Sequence, residues 1–86
     1  MPADVTVYVT KTCPYCVAAK RLLTKRGASF VEVDVTGDEE KRAWLVQATG
    51  RRTVPQIFIA DEPVGGYDEL AALDRRGMLV EMLAGK

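Results

Sequence analysis

The order of elements in this sequence predicts an α/β domain: a mixed four-stranded sheet flanked by three or four helices, in the order βαβ-α-ββα. Three observations carry that prediction. Two runs rich in β-branched and aromatic residues, 5–10 and 30–34, bracket an amphipathic helical stretch. Such a βαβ unit needs parallel strands and a right-handed crossover. A third apolar run, 56–60, is separated from Pro63-Val64 by only Asp61-Glu62, and so short a turn demands an antiparallel pair. Finally, 48% hydrophobic and 28% charged residues is the balance of a globular chain. At 86 residues, a single domain spanning 1–86 is expected.

Each element has its local reason. Val5, Val7 and Val9 alternate with Thr6 and Tyr8 in a segment expected to be buried on both faces. Pro14 suits the first turn of a helix, where its missing N–H would be unpaired anyway. Cys16, Ala19, Leu22 and Leu23 then fall on one stripe, and Gly27 closes the helix. Gly37-Asp38-Glu39-Glu40 opens a second helix with acids at its positive end. Its inner face is expected to carry Trp44, Leu45 and Ala48, and Gly50 to end it. Gly65-Gly66 breaks the chain before a third helix over 68–73, and Gly77 interrupts that helix before an apolar tail.

Charge and composition exclude some functions. Lys+Arg and Asp+Glu each number 12, so the basic excess that phosphate binding needs is missing and nucleic acid is not the expected partner. No apolar run is long enough to span a membrane. Met1-Pro2-Ala3-Asp4 lacks a basic segment followed by an apolar one, so the expectation is a soluble cytoplasmic protein. Nothing marks an interface, and a monomer is expected.

The chemistry concentrates in Cys13-Pro14-Tyr15-Cys16. A disulfide between cysteines this close closes a tiny loop, which makes a poor structural staple. Structural zinc needs four ligands, and the chain has two cysteines and no histidine. An incidental pair of buried thiols is the other alternative, but at a strand-to-helix junction in a βαβ unit a C-x-x-C points to reversible thiol–disulfide chemistry. The thiolate is the reactive form, and Cys13 stands just before the helix, whose N-terminus favours an anion. Lys11 could add to that effect. Cys13 is therefore the expected attacking thiol. Cys16, one turn further on, is placed to resolve the mixed disulfide.

Lys11-Thr12-Cys13-Pro14-Tyr15-Cys16, Thr53-Val54-Pro55 and Gly65-Gly66-Tyr67-Asp68 together resemble the dithiol members of the glutaredoxin family. The resemblance covers almost the whole chain. It implies a thioredoxin-like fold and glutathione as co-substrate. It also implies reduction of protein–glutathione mixed disulfides and of protein disulfides, with Cys13 carrying the glutathione. Lys11 and Arg42 match the cations that meet the glycine carboxylate, and Tyr15 the aromatic wall. Thr53, Val54 and Pro55 match the loop whose proline is cis and whose backbone pairs with the ligand. Gly66, Tyr67 and Asp68 match the turn that receives the γ-glutamyl end. Two positions depart: Tyr67 is larger than in many relatives, and Glu69 is longer than the aspartate common there. Two other functions remain open. One is an electron donor to ribonucleotide reductase, recharged by thioredoxin reductase. The other is an iron–sulfur module holding a cluster between two chains.

Several of these residues have a blander reading. Pro55 could be an edge-strand device, Gly65-Gly66 an ordinary tight turn, and Asp68 a helix cap. Lys11 alone reads as a surface charge, Arg51-Arg52 as a solvated basic pair, and Tyr8 and Trp44 as core.

Overall fold

The computed structural model describes residues 2–85. Strands β1 (Val5–Val9), β2 (Val31–Asp34), β3 (Gln56–Ile59) and β4 (Glu62–Gly65) alternate with helices α1 (Pro14–Lys25) and α2 (Glu39–Thr49), and α3 (Tyr67–Arg75) and α4 (Met78–Leu83) follow. The sheet order is β2-β1-β3-β4. β1 runs parallel to β2 and antiparallel to β3, which is antiparallel to β4. This is the mixed sheet that the βαβ unit and the short turn require.

The two faces of the sheet are covered differently. Val5, Val7, Val9, Ile57 and Ile59 are buried against Cys16, Ala19 and Leu23 of α1, Leu70 of α3, and Leu79 and Leu83 of α4. The opposite face carries an aromatic cluster. Tyr8 and Phe58 meet edge to face with centroids 5.5 Å apart, and Trp44 of α2 stacks on Phe58 at 5.7 Å. β1 is thus fully buried on one face only, with Thr6 and Tyr8 half-covered. Burial on both faces does not hold, because α1, α3 and α4 cover the first face while the second has only α2 as their counterpart.

Three local expectations shift for the same kind of reason. Leu45 is the buried residue of α2, whereas Trp44 is 46% exposed and Ala48 is exposed too. Trp44 lies flat over Phe58 rather than inserting, so its outer ring surface stays wet. The β3–β4 hairpin turns at Ala60-Asp61, one residue earlier than expected, and Ile59 pairs with Glu62. Both turn residues have positive φ, at 52° and 65°. That conformation matches the twist of the strands it joins, and Asp tolerates it better than most residues. The third helix starts at Tyr67 and continues to Arg75, two residues beyond the expected end. Gly77 then reverses the chain at φ 74° into α4.

Candidate functional site

Cys13 is the residue that caps α1, in extended conformation at the end of the β1–α1 connection. Its sulfur accepts the backbone N–H of Cys16 at 3.1 Å. An N-cap normally uses an oxygen in this place. Here a sulfur occupies it, beside the unpaired N–H groups of the first turn. No acidic side chain stands in that turn. Cys13 and Cys16 are joined by a disulfide, with Cα atoms 5.2 Å apart.

The two sulfurs sit in different surroundings. Cys16 is 2% exposed and belongs to the core with Ala19 and Leu23. Cys13 is only partly covered and lies 3.7 Å from the Val54 carbonyl oxygen. Only one of the two is open to an incoming disulfide.

The loop that Cys13 faces is Thr53-Val54-Pro55, and the Val54–Pro55 peptide bond is cis. Pro55 is buried, Val54 half-buried and Thr53 exposed. Gln56, at the start of β3, is fully buried and donates from Nε2 to the Thr53 carbonyl at 2.9 Å and to the Thr53 hydroxyl at 3.3 Å. Its Oε1 has no hydrogen-bond partner among the described residues. Gln56 therefore ties the strand to the loop, a role that its place in an apolar run did not announce.

The Gly65-Gly66 turn packs on the same loop. A side chain at Gly66 would stand 3.3 Å from the Pro55 carbonyl oxygen, which a close backbone approach explains. Gly66 is the N-cap of α3, and its N–H donates to Glu69 Oε1 at 2.9 Å. Asp68 is exposed in the first turn of α3 and is not the cap; Glu69 performs that function. Glu69 also accepts from the Arg51 guanidinium. The Gly66 N–H first, and Arg51 second, hold the Glu69 carboxyl below the usual carboxylate range. Arg51 is therefore engaged rather than simply solvated.

The remaining candidates ring this centre. Tyr15, second in α1 and 62% exposed, faces the half-buried Tyr67 with ring centroids 6.3 Å apart. Arg42 of α2 donates to the Arg52 carbonyl at 3.1 Å. It lines a groove of about 460 Å³ together with Arg51, Arg52, Thr53 and Val54. Lys11 stands apart from that groove. Its backbone N–H donates to Thr36 Oγ1 at 3.0 Å. Its charge adds to the lowering of the Asp34 carboxyl, which the Thr36 hydroxyl chiefly causes. Among the described residues no group of His, Cys, Asp and Glu could hold a metal ion, and no helix is long and apolar enough to cross a membrane.

The family model described as Glutaredoxin matches residues 5–64, which include the cysteine pair and the cis-proline loop. The chain belongs to the glutaredoxin family. Glutaredoxin 3 of Escherichia coli K12 is 48% identical over 81 residues, covering 94% of this chain and 98% of the relative. The solution structure of glutaredoxin from Brucella melitensis superposes with a TM-score of 0.88 at 45% identity, covering 99% of this chain and 94% of that one. The buckwheat glutaredoxin–glutathione complex superposes with a TM-score of 0.90 at 32% identity, covering 96% and 78%. The fold of this glutaredoxin is accordingly thioredoxin-like, and its cysteine pair matches the dithiol members of a family of thiol–disulfide oxidoreductases.

Proposed function

We propose that this glutaredoxin is a glutathione-dependent oxidoreductase acting on protein–glutathione mixed disulfides and on protein disulfides. The observation that carries the reading is the asymmetry of the pair: an accessible sulfur at a helix N-terminus and a buried one a turn behind it. The thiolate of reduced Cys13 attacks the glutathione sulfur of a glutathionylated protein. A Cys13–glutathione disulfide forms and the protein thiolate leaves. A second glutathione thiolate then attacks the glutathione sulfur of that adduct. Glutathione disulfide departs and the Cys13 thiolate returns, so in each cycle one disulfide and one thiolate enter and one disulfide and one thiolate leave. With a protein disulfide as substrate, Cys13 first forms a mixed disulfide with one protein sulfur, and Cys16 attacks that bond, releasing the second protein thiolate and leaving the Cys13–Cys16 disulfide. Two glutathione thiolates in turn reopen it and depart as glutathione disulfide.

Glutathione is a peptide with two carboxylates and one ammonium, and the residues that ring Cys13 offer a partner for each. Arg42 and Lys11 supply cations for the glycine carboxylate. The N–H groups opening α3 suit the γ-glutamyl carboxylate, and Asp68 suits the ammonium. The Val54 backbone, beside Cys13, suits strand-like pairing with the ligand's central residue. Tyr15 and Tyr67 wall the thiol. The glutathione complex of the buckwheat relative supports this reading by analogy.

The test is turnover of a glutathionylated peptide with glutathione as the reductant. The expected result is catalysis that saturates with glutathione. Reduction by thioredoxin reductase but not by glutathione contradicts the proposal. So does a stable visible chromophore in anaerobically purified protein, which points to an iron–sulfur cluster.

A further inference from the structure

The start of α3 presents an apparent contradiction. It is the end proposed to receive a carboxylate of glutathione, yet its own first turn holds two carboxylates, Asp68 and Glu69. Asp68 is exposed and is used in the proposal as the partner of the ligand's ammonium. Glu69 has no such counterpart in the ligand. Left alone, its charge would repel the incoming carboxylate and cancel part of the helix dipole.

Arg51 removes that conflict. The guanidinium, carried on the connection between α2 and β3, reaches across to Glu69 Oε1, the same oxygen that caps Gly66. A side chain built at Gly65 would meet Glu69 Oε1 at 2.6 Å and its Cγ at 2.9 Å. The carboxylate therefore lies directly over the Gly65-Gly66 turn. One oxygen receives two donors, one from the turn itself and one from the segment leading into Thr53-Val54-Pro55.

We infer that Arg51 is a positioning residue of the glutathione groove: it fixes Glu69 over the Gly65-Gly66 turn and neutralises that carboxylate where the γ-glutamyl carboxylate of glutathione is received. The inference rests on the glutathione reading above. Arg51 pairs with Glu69, and its proposed effect on the ligand runs through that charge rather than through direct contact. An unmasked carboxylate at the mouth of α3 weakens glutathione binding and leaves the chemistry at Cys13 alone.

The test measures KM for glutathione and kcat on a glutathionylated peptide for wild type, Arg51→Ala, Arg51→Lys, Glu69→Gln and the Arg51→Ala/Glu69→Gln double variant. Gln retains an oxygen to cap Gly66 but carries no charge. In Arg51→Ala the KM is expected to rise about three- to fivefold, the size of one charge at a helix N-terminus, with kcat within about twofold of wild type. Arg51→Lys restores the charge and recovers most of the loss. The double variant returns close to Glu69→Gln, because removing the carboxylate removes what Arg51 masks. The Arg51→Ala defect also shrinks as salt rises from low to about 0.5 M, since repulsion between exposed charges is screened. Lys20→Ala, which breaks the distant pair with Glu32, leaves KM unchanged. An unchanged KM in Arg51→Ala overturns the inference, as does a double variant no better than Arg51→Ala or a defect indifferent to salt. Failure of the wild type to saturate with glutathione overturns instead the reading on which it rests.

Discussion

Helices α1 and α2 begin alike and end up with opposite chemistry. Each opens on a side chain that accepts the backbone N–H three residues on: Cys13 sulfur from Cys16 at 3.1 Å, and Asp38 Oδ1 from Lys41 at 3.0 Å. In α2 the positive end is then filled with further acids, Glu39 and Glu40. In α1 the first turn is Pro14-Tyr15-Cys16, with no carboxylate at all. One helix uses its dipole for its own stability. The other leaves the positive end to a single sulfur, which is where a thiolate gains most. In the function proposed above, the same capping geometry serves folding at one site and reactivity at the other, and the difference lies in two or three side chains.

The largest effects should come from the sulfurs. Cys13→Ser is expected to lower exchange by at least about a thousandfold, because a neutral hydroxyl is no substitute for a thiolate. Cys16→Ser should keep most turnover of a glutathionylated peptide while losing reduction of protein disulfides. Parallel assays of the two variants on the two substrates check this, and the reverse pattern breaks the assignment of attacker and resolver.

Smaller effects sharpen the contrast between the helices. Val17 is exposed just behind the first turn of α1, so Val17→Glu gives α1 the acid that α2 has. Alkylation of the reduced protein by iodoacetamide at neutral pH should slow about two- to fivefold. The complementary change, Asp38→Ala, removes the α2 cap. It should cost about 1 kcal/mol, or roughly 4–8 °C in Tm, while leaving alkylation unchanged. A change in alkylation with Asp38→Ala would show that the two helix starts are not independent.

The smallest effect is on acid stability. Glu69 is held below the usual carboxylate range by the Gly66 N–H and Arg51, and Asp74 by its hydrogen bonds from Arg26, at 2.6 and 2.9 Å. These groups bind protons less readily folded than unfolded. Their contribution is therefore complete above the usual carboxylate range and fades as pH falls through their depressed values. Thermal unfolding between pH 7 and pH 3 should show a flat Tm down to about pH 5 and a decline below it. Asp74→Asn should flatten part of that decline.

Much of this was legible along the chain, for local reasons. Pro14, Gly27, Asp38 and Gly50 are punctuation whose effect depends on near neighbours, so the bounds of α1 and α2 follow closely. The mixed sheet follows from connection lengths. What escaped depends on partners distant in sequence. Arg51 and Glu69 are 18 positions apart on separate elements, so Arg51 read as solvent-facing and Glu69 did not stand out as the side chain that caps α3. Gln56 is simply the first residue of the third apolar run in sequence; its role lies in its bonds to Thr53. The hairpin turn was misplaced because Asp61-Glu62 and Ala60-Asp61 are nearly equal as turn formers, and strand register decided between them. Trp44 was placed inward because a helical stripe does not reveal that Tyr8 and Phe58 already fill the space beneath.

The central claim is that the sulfur capping α1 is the one that takes up substrate. Its most direct test is to incubate reduced Cys16→Ser and reduced Cys13→Ser separately with glutathione disulfide and to map the adduct by peptide mass spectrometry. The expected result is one glutathione on Cys13 in the first variant and next to none in the second. Rapid, stoichiometric modification of Cys16 in Cys13→Ser would contradict the account.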